Sequence, residues 1–138
     1  MTAINYRTIL DDAIYGKLNV AGVTDIAAGP YNTVAPNSAT SPWAQFSLQS
    51  MNRDDWAFAG EGCEALYLVK AVGSGGWPYG FEAIDTAIIT ALHDQTLSLS
   101  GATNIYIRRQ SDIRYSETIG GVRWWHLGGL YKIICNDT

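Results

Sequence analysis

The residues from Glu64 to Leu99 restrict this chain more than any other stretch. They open with Glu-Ala-Leu-Tyr-Leu-Val-Lys-Ala-Val, turn through Gly-Ser-Gly-Gly-Trp-Pro-Tyr-Gly, and continue as Phe-Glu-Ala-Ile-Asp-Thr-Ala-Ile-Ile-Thr-Ala-Leu-His-Asp. The first part reads as a strand over 64–72. Leu66, Leu68 and Val72 point to one side; Ala65, Tyr67, Val69 and Ala71 point to the other. A strand apolar on both faces, interrupted only by Lys70, belongs in the middle of a sheet. The last part reads as an amphipathic helix over 81–93. Phe81, Ala83, Ile84, Ala87, Ile88, Ala91 and Leu92 recur at helical spacing, while Glu82, Asp85, Thr86, Thr90 and His93 fall largely elsewhere. A strand, a glycine-rich turn and a helix packed back on the sheet form the unit around which the rest must be arranged.

Before this unit, a helix is expected over 5–18, with Asn5 as its cap and a stripe of Tyr6, Ile9, Leu10, Ala13, Ile14, Lys17 and Leu18. Asp11 and Asp12 should face solvent, and Gly16 weakens the helix end. A brief strand is expected over 23–26. Residues 29–42, with Pro30, Pro36 and Pro42, read as a long exposed loop, either mobile or ordered by a partner. From Trp43 to Ser50 the chain alternates, with Ala44, Phe46 and Leu48 on one side, as a half-buried antiparallel strand does. Residues 51–62 read as a protruding arm carrying a charged turn and then Trp56 and Phe58. Beyond the second helix, Leu97 and Leu99 alternate within 95–101. Strands are expected over 105–110, with Ile105 and Ile107 inward, and over 113–118, with Ser111 and Asp112 as a bulge or turn. Gly120-Gly121 marks a tight turn. The last strand, 122–135, should bulge or bend at Gly128-Gly129. This order predicts one α+β domain, with a mostly antiparallel, mixed sheet and two main helices on one face. At 138 residues the chain is long enough for one substantial core.

The site chemistry is sparse. The turn 73–80 joins a strand to a helix, a place where phosphates bind, but it lacks Gly-Lys-Ser/Thr and the Gly-x-Gly-x-x-Gly spacing. His93 closes a helix, where a histidine suits the dipole, and His126 stands in a strand beside tryptophans; both read as structural. Ser74 has the location of a nucleophile elbow without its glycines. The adjacent pairs Asp11-Asp12 and Asp54-Asp55 point apart on either a helix or a strand. The expectation is therefore no catalytic residue, no metal and no cofactor.

Charge narrows the partners. A net charge of −4 argues against a dedicated nucleic-acid grip, which needs a basic patch, although an acidic surface could line a passage through which DNA slides. The one basic concentration is Arg108, Arg109, Arg114 and Arg123, with Arg108 and Arg114 expected on neighbouring strands near Tyr106, Tyr115 and Trp124. Charged residues make up only 16%, whereas there are five tryptophans and eight tyrosines, which suits a protein that buries surface against partners as well as one with an aromatic core. No segment approaches the roughly 20 apolar residues of a membrane span. The two cysteines, Cys63 and Cys135, lie in apolar strand contexts and are expected to be reduced core residues.

Taken together, several features carry a resemblance: the helix with its Ala-Ile-Tyr-Gly-Lys-Leu phrase, the proline-containing loop ending in Ser41-Pro42-Trp43-Ala44-Gln45-Phe46, the strand 64–72, the helix ending in Ala-Leu-His-Asp, and the Arg/Tyr-rich strands up to Cys135. Over about residues 6–134 the chain resembles the tail-completion and tail-terminator proteins of long-tailed bacteriophages. The tryptophan load and the glycine-rich turn are heavier than that family's pattern. The resemblance implies a non-enzymatic virion protein, assembled in the host cytoplasm, that forms a hexameric ring at the head-proximal end of the tail tube. Such a ring ends tail growth and joins the tail to the head-closure or connector protein while the genome passes through its centre. Rings close by heterologous contacts. The candidate contact residues are Arg53, Asp54, Trp56 and Phe58 of the arm, Tyr31 and Trp43 of the loop region, and Arg108, Arg109 and Arg114. Two alternatives are another neck subunit and, from a different class, a small cytoplasmic enzyme or ligand-binding domain using the turn Gly73–Gly80.

Overall fold

The computed structural model describes residues 5–54 and 62–137. Helix α1 (Tyr6–Leu18) and the single turn α2 (Ala21–Thr24) lead into strands β1 (Ala28–Asn32), β2 (Trp43–Asp54) and β3 (Gly62–Ser74). A 3₁₀ turn at Pro78–Phe81 opens helix α3 (Glu82–Leu92), and strands β4 (Ala102–Ile119) and β5 (Val122–Asp137) complete the chain. The strands form one sheet in the order β1-β2-β3-β5-β4. Only β1 runs parallel to its neighbour; the other pairings are antiparallel. The architecture is α+β with a mixed sheet, and the doubly apolar strand β3 is its centre, as expected.

The two main helices share one face of the sheet with the core. Tyr6, Leu10, Ile14 and Leu18 of α1 and Ile84, Ile88 and Leu92 of α3 are fully or almost fully buried. They pack against Ala44 and Phe46 of β2, Ala65, Tyr67, Val69 and Ala71 of β3, Ile107 of β4, and Tyr131 and Ile133 of β5. Burying each such large side chain contributes about 1.5–3 kcal/mol. Asn5 caps α1 by accepting the Thr8 N–H at 3.4 Å. Asp11 is half-buried, and its carboxylate accepts the Tyr67 hydroxyl at 2.6 Å and the Asn32 amide at 3.1 Å, tying α1 to β3 and β1. Burial and this carboxylate together push the Tyr67 phenol well above its ordinary pKa.

Several expected boundaries move. In place of the brief strand at 23–26, the chain ends the turn α2, whose Val23 is buried, and continues without strand structure through 26. The expected loop 29–42 begins as strand β1, whose Tyr31 lies opposite Gln45. Its register slips between Ala28 and Tyr31, where Gly29 takes a φ of 90° and a Cβ would meet the Ala44 carbonyl at 2.7 Å. Strand β2 runs four residues beyond Ser50, to Asp54, and the arm residues 55–61, with Trp56 and Phe58, lie outside the described residues. The two strands expected over 105–118 are one, β4, with bulges at Asn104/Tyr106 and Arg109/Ser111. Arg108 and Arg114 therefore share a strand. The segment 95–101 forms no strand, although Leu97 is buried.

At Gly120-Gly121 both φ angles are positive, 59° and 81°, as a two-residue turn between antiparallel strands requires. Gly128-Gly129 is not a bulge: β5 keeps unbroken register with β3 through both residues. The glycines serve close approach. A Cβ on Gly128 would meet the Val69 carbonyl oxygen at 2.2 Å, and one on Gly129 would meet the Arg109 guanidinium. Cys63 and Cys135 lie directly opposite each other on β3 and β5, both fully buried and neither in a disulfide. A hydrogen bond between them and burial push the Cys135 thiol up, away from the thiolate form that a nucleophile needs.

Candidate functional site

The expected contact residues do not form one patch. Arg53 and Asp54 stand at the end of the sheet where β2 leaves and β3 returns, with the Arg53 guanidinium 5.2 Å over the Tyr6 ring. Trp43 begins β2 at the opposite end. Its indole N–H donates to Gln45 at 3.0 Å, and its ring lies 5.4 Å from that of Trp124. Arg108 is exposed, stacked over Tyr106 and paired with Asp94 at 3.0 Å. Arg114 is exposed beside a polar recess of about 300 Å³ shared with Glu82, Asp85, Arg109 and Asp112.

Arg109 has a different place. Its side chain is only 10% exposed, and its guanidinium is fully committed inside the subunit. It donates from Nη1 and Nη2 to the two carboxylate oxygens of Asp85 at 2.7 and 2.9 Å. The remaining donors go to Gly128 O at 2.6 Å, the Tyr131 hydroxyl at 3.3 Å and Asp112 at 2.7 Å. All five N–H groups of the fork are thus used. The Asp85 and Tyr131 hydrogen bonds outweigh burial and raise the Arg109 pKa still further. The arrangement clamps α3 onto β4 and β5, and Gly129 leaves the room for it. Asp85, expected on the polar side of its helix, is buried. The signal was present in the spacing: Asp85 precedes Ile88 by three residues and Leu92 by seven, which puts it on the inward stripe.

The sheet face away from the helices carries a second polar group that sequence reasoning passed over. His126 is buried, stacks on Tyr115 with ring centroids 4.4 Å apart, and engages Glu117 through Nε2 at 2.8 Å. Burial and the Lys70 charge hold its pKa below the ordinary histidine value despite Glu117. Lys70, the residue that interrupts β3, is itself buried and donates to the Tyr115 hydroxyl at 2.9 Å. The signal for this group lay in Lys70 alone, because the partners come from strands far along the chain.

Next to this group, a groove of about 410 Å³ runs between the 33–39 loop and the β4–β5 hairpin. Val34, Pro36, Trp43, Val72, Ile119 and Trp124 supply most of its apolar lining. The same end of the sheet gathers large exposed apolar side chains. Val34 is 74% exposed and Trp77 73%, and Tyr79, Tyr115, Ile119 and Val122 are exposed too. Trp77 and Tyr79 stack on each other in the glycine-rich turn. A surface of this kind is suited to protein contact.

The glycine-rich turn itself offers little to a phosphate. Gly73 makes room for the Phe81 ring, and the Gly75 carbonyl accepts the Trp125 indole N–H at 3.1 Å. Helix α3 carries Glu82 and Asp85 in its first turn, where an anion would otherwise bind. Among the described residues, no group of three or more His, Cys, Asp or Glu side chains could hold a metal ion, and no helix is long and apolar enough to cross a membrane.

No protein-family model matches this chain, and no curated protein does. Solved structures do. One chain of a structure described as the virion of a native gene transfer agent (GTA) particle superposes with a TM-score of 0.74 at 15% identity, covering 97% of this chain and 100% of that one. From end to end, this chain has the fold of a protein found in a virion particle.

Proposed function

We propose that the protein is a non-enzymatic structural subunit of a phage-like virion, and that it forms the ring closing the head-proximal end of the tail tube. The observation that carries this reading is the fold match to a virion chain over essentially the whole length of both molecules. A likeness in which neither chain has a large unmatched part is what a shared building block gives. The groove and the exposed apolar end supply surface for self-assembly and for two further partners, the tail-tube protein and the head-closure or connector protein. A net charge of −4 suits a channel that lets genome DNA pass without gripping it. The reading places the protein in the virion neck after assembly in the host cytoplasm.

Native mass measurement and negative-stain imaging over a concentration series, with and without purified tail tubes, test this. The expected result is closed rings of about six subunits with a central hole, free or on tube ends. A protein that stays monomeric at every concentration and leaves tube ends bare would remove the tail-ring reading. A thermal-shift screen with nucleotides and divalent metals addresses the enzyme alternative, since a specific ligand raises Tm by mass action. The structural reading expects no shift.

A further inference from the structure

The groove and the strand ends Asp54 and Gly62 that bracket residues 55–61 stand at opposite ends of the sheet, and the composition of the bracketed segment matches the groove. The groove is apolar along Val34, Pro36, Trp43, Ile119 and Trp124, and its one lining carboxylate, Glu117, is already engaged by His126. Two residues before the groove-lining Val72, on the same sheet face, stands Lys70. Its ammonium bonds the Tyr115 hydroxyl, and among the described residues no carboxylate pairs with it. A buried ammonium with a single neutral partner is a ready seat for a carboxylate. Two stretches combine two or more aromatics with carboxylates and no cation: Trp77–Asp85, which is built into the start of α3, and Asp54-Asp55-Trp56-Ala57-Phe58-Ala59-Gly60-Glu61.

This stretch cannot reach its own groove. Residues 55–61 are tethered at Asp54 and Gly62, which face each other across β2 and β3. Fully extended, the connection spans about 28 Å, so its tip reaches at most about 14 Å beyond the strand ends. Lys70 lies eight residues along β3 from Gly62, about 26 Å away, and the groove lies farther. Any arm that fills it comes from another molecule.

We propose that the groove between the 33–39 loop and the β4–β5 hairpin receives the 54–61 segment of a second copy of this chain, Trp56 and Phe58 entering the apolar part and a carboxylate meeting Lys70. The contact is heterologous, because one subunit offers its arm and the next its groove, and it therefore propagates into a ring or a filament. It takes its setting from the ring reading above, but the two fail separately.

Sedimentation of the full-length protein is compared for wild type, an arm variant (Trp56→Ala with Phe58→Ala) and a groove variant (Ile119→Arg, at a 59% exposed position). Each variant alone should lose at least about tenfold in self-association, because buried aromatic anchors dominate such contacts. Mixed, they should form a pair and nothing larger, since one retains the groove and the other the arm. A labelled peptide of residues 52–63, with Cys63→Ser, should bind wild type and not Ile119→Arg. Rings that persist in the arm variant would overturn this contact and leave the ring reading standing. Peptide binding by a wild type that never forms rings would support the contact and count against the ring. A peptide that ignores the groove overturns the proposal outright.

Discussion

Removing the Asp85 carboxylate tests the account of how α3 is held. Asp85→Ala takes two short hydrogen bonds from the Arg109 fork and leaves its charge inside, with Tyr131, Gly128 and the largely exposed Asp112 as its remaining partners. A hydrogen bond to a charged group contributes about 1.5–3 kcal/mol, so two amount to roughly 3–6 kcal/mol. Breaking a buried pair by deleting one partner costs about 3–5 kcal/mol by direct measurement in other proteins. Both side chains are only 10% exposed, so solvent screening takes little away. We expect a loss of about 3–4 kcal/mol in urea unfolding followed by circular dichroism, with an unchanged m-value. For a chain of this size that is a fall in Tm of roughly 10–15 °C. The double variant Asp85→Leu with Arg109→Met should recover much of the loss, because it removes the stranded charge as well. A single-variant loss below about 1 kcal/mol, or a double variant as unstable as the sum of its parts, would refute the clamp.

Two further outcomes follow from other sites. His126 has a folded-state pKa below its ordinary 6.5, so the unfolded chain takes up the proton first. Its contribution to stability is complete above that value and fades as pH falls from 7 toward 5; in His126→Phe, which keeps a ring against Tyr115, unfolding free energy should decline less steeply over that window, and an unchanged slope would exclude this origin. Gly128→Ala places a methyl group against the β3 backbone at Val69 and Lys70, so it should cost about 1–3 kcal/mol in the same urea assay, and a neutral substitution would mean that the strands are not so closely apposed.

What was legible in the sequence was periodic. The apolar run in β3 announced a central strand because that strand is paired along both edges and buries Ala65, Tyr67, Val69 and Ala71 under the helices, and the α1 stripe announced its buried side because Tyr6, Leu10, Ile14 and Leu18 recur every four residues. Strand β1 escaped notice because Gly29 and Pro30 carry loop chemistry, and nothing local reveals parallel pairing with a strand eleven residues on. Strand β4 read as two because each bulge shifts the alternation by one residue. Asp85 was assigned by its polarity and not by its position, and its partner lies 24 residues away, beyond any local window. Arg109 consequently read as one of a surface cluster. The groove depends on a loop, a strand start and a hairpin tip converging, which no single stretch encodes.

The crowding of exposed apolar side chains at one end of the sheet gives the molecule a direction. Repeated around an axis with every copy pointing the same way, such a block would gather these side chains on one rim, so the two rims of the layer would present different surfaces and each could meet a different neighbour.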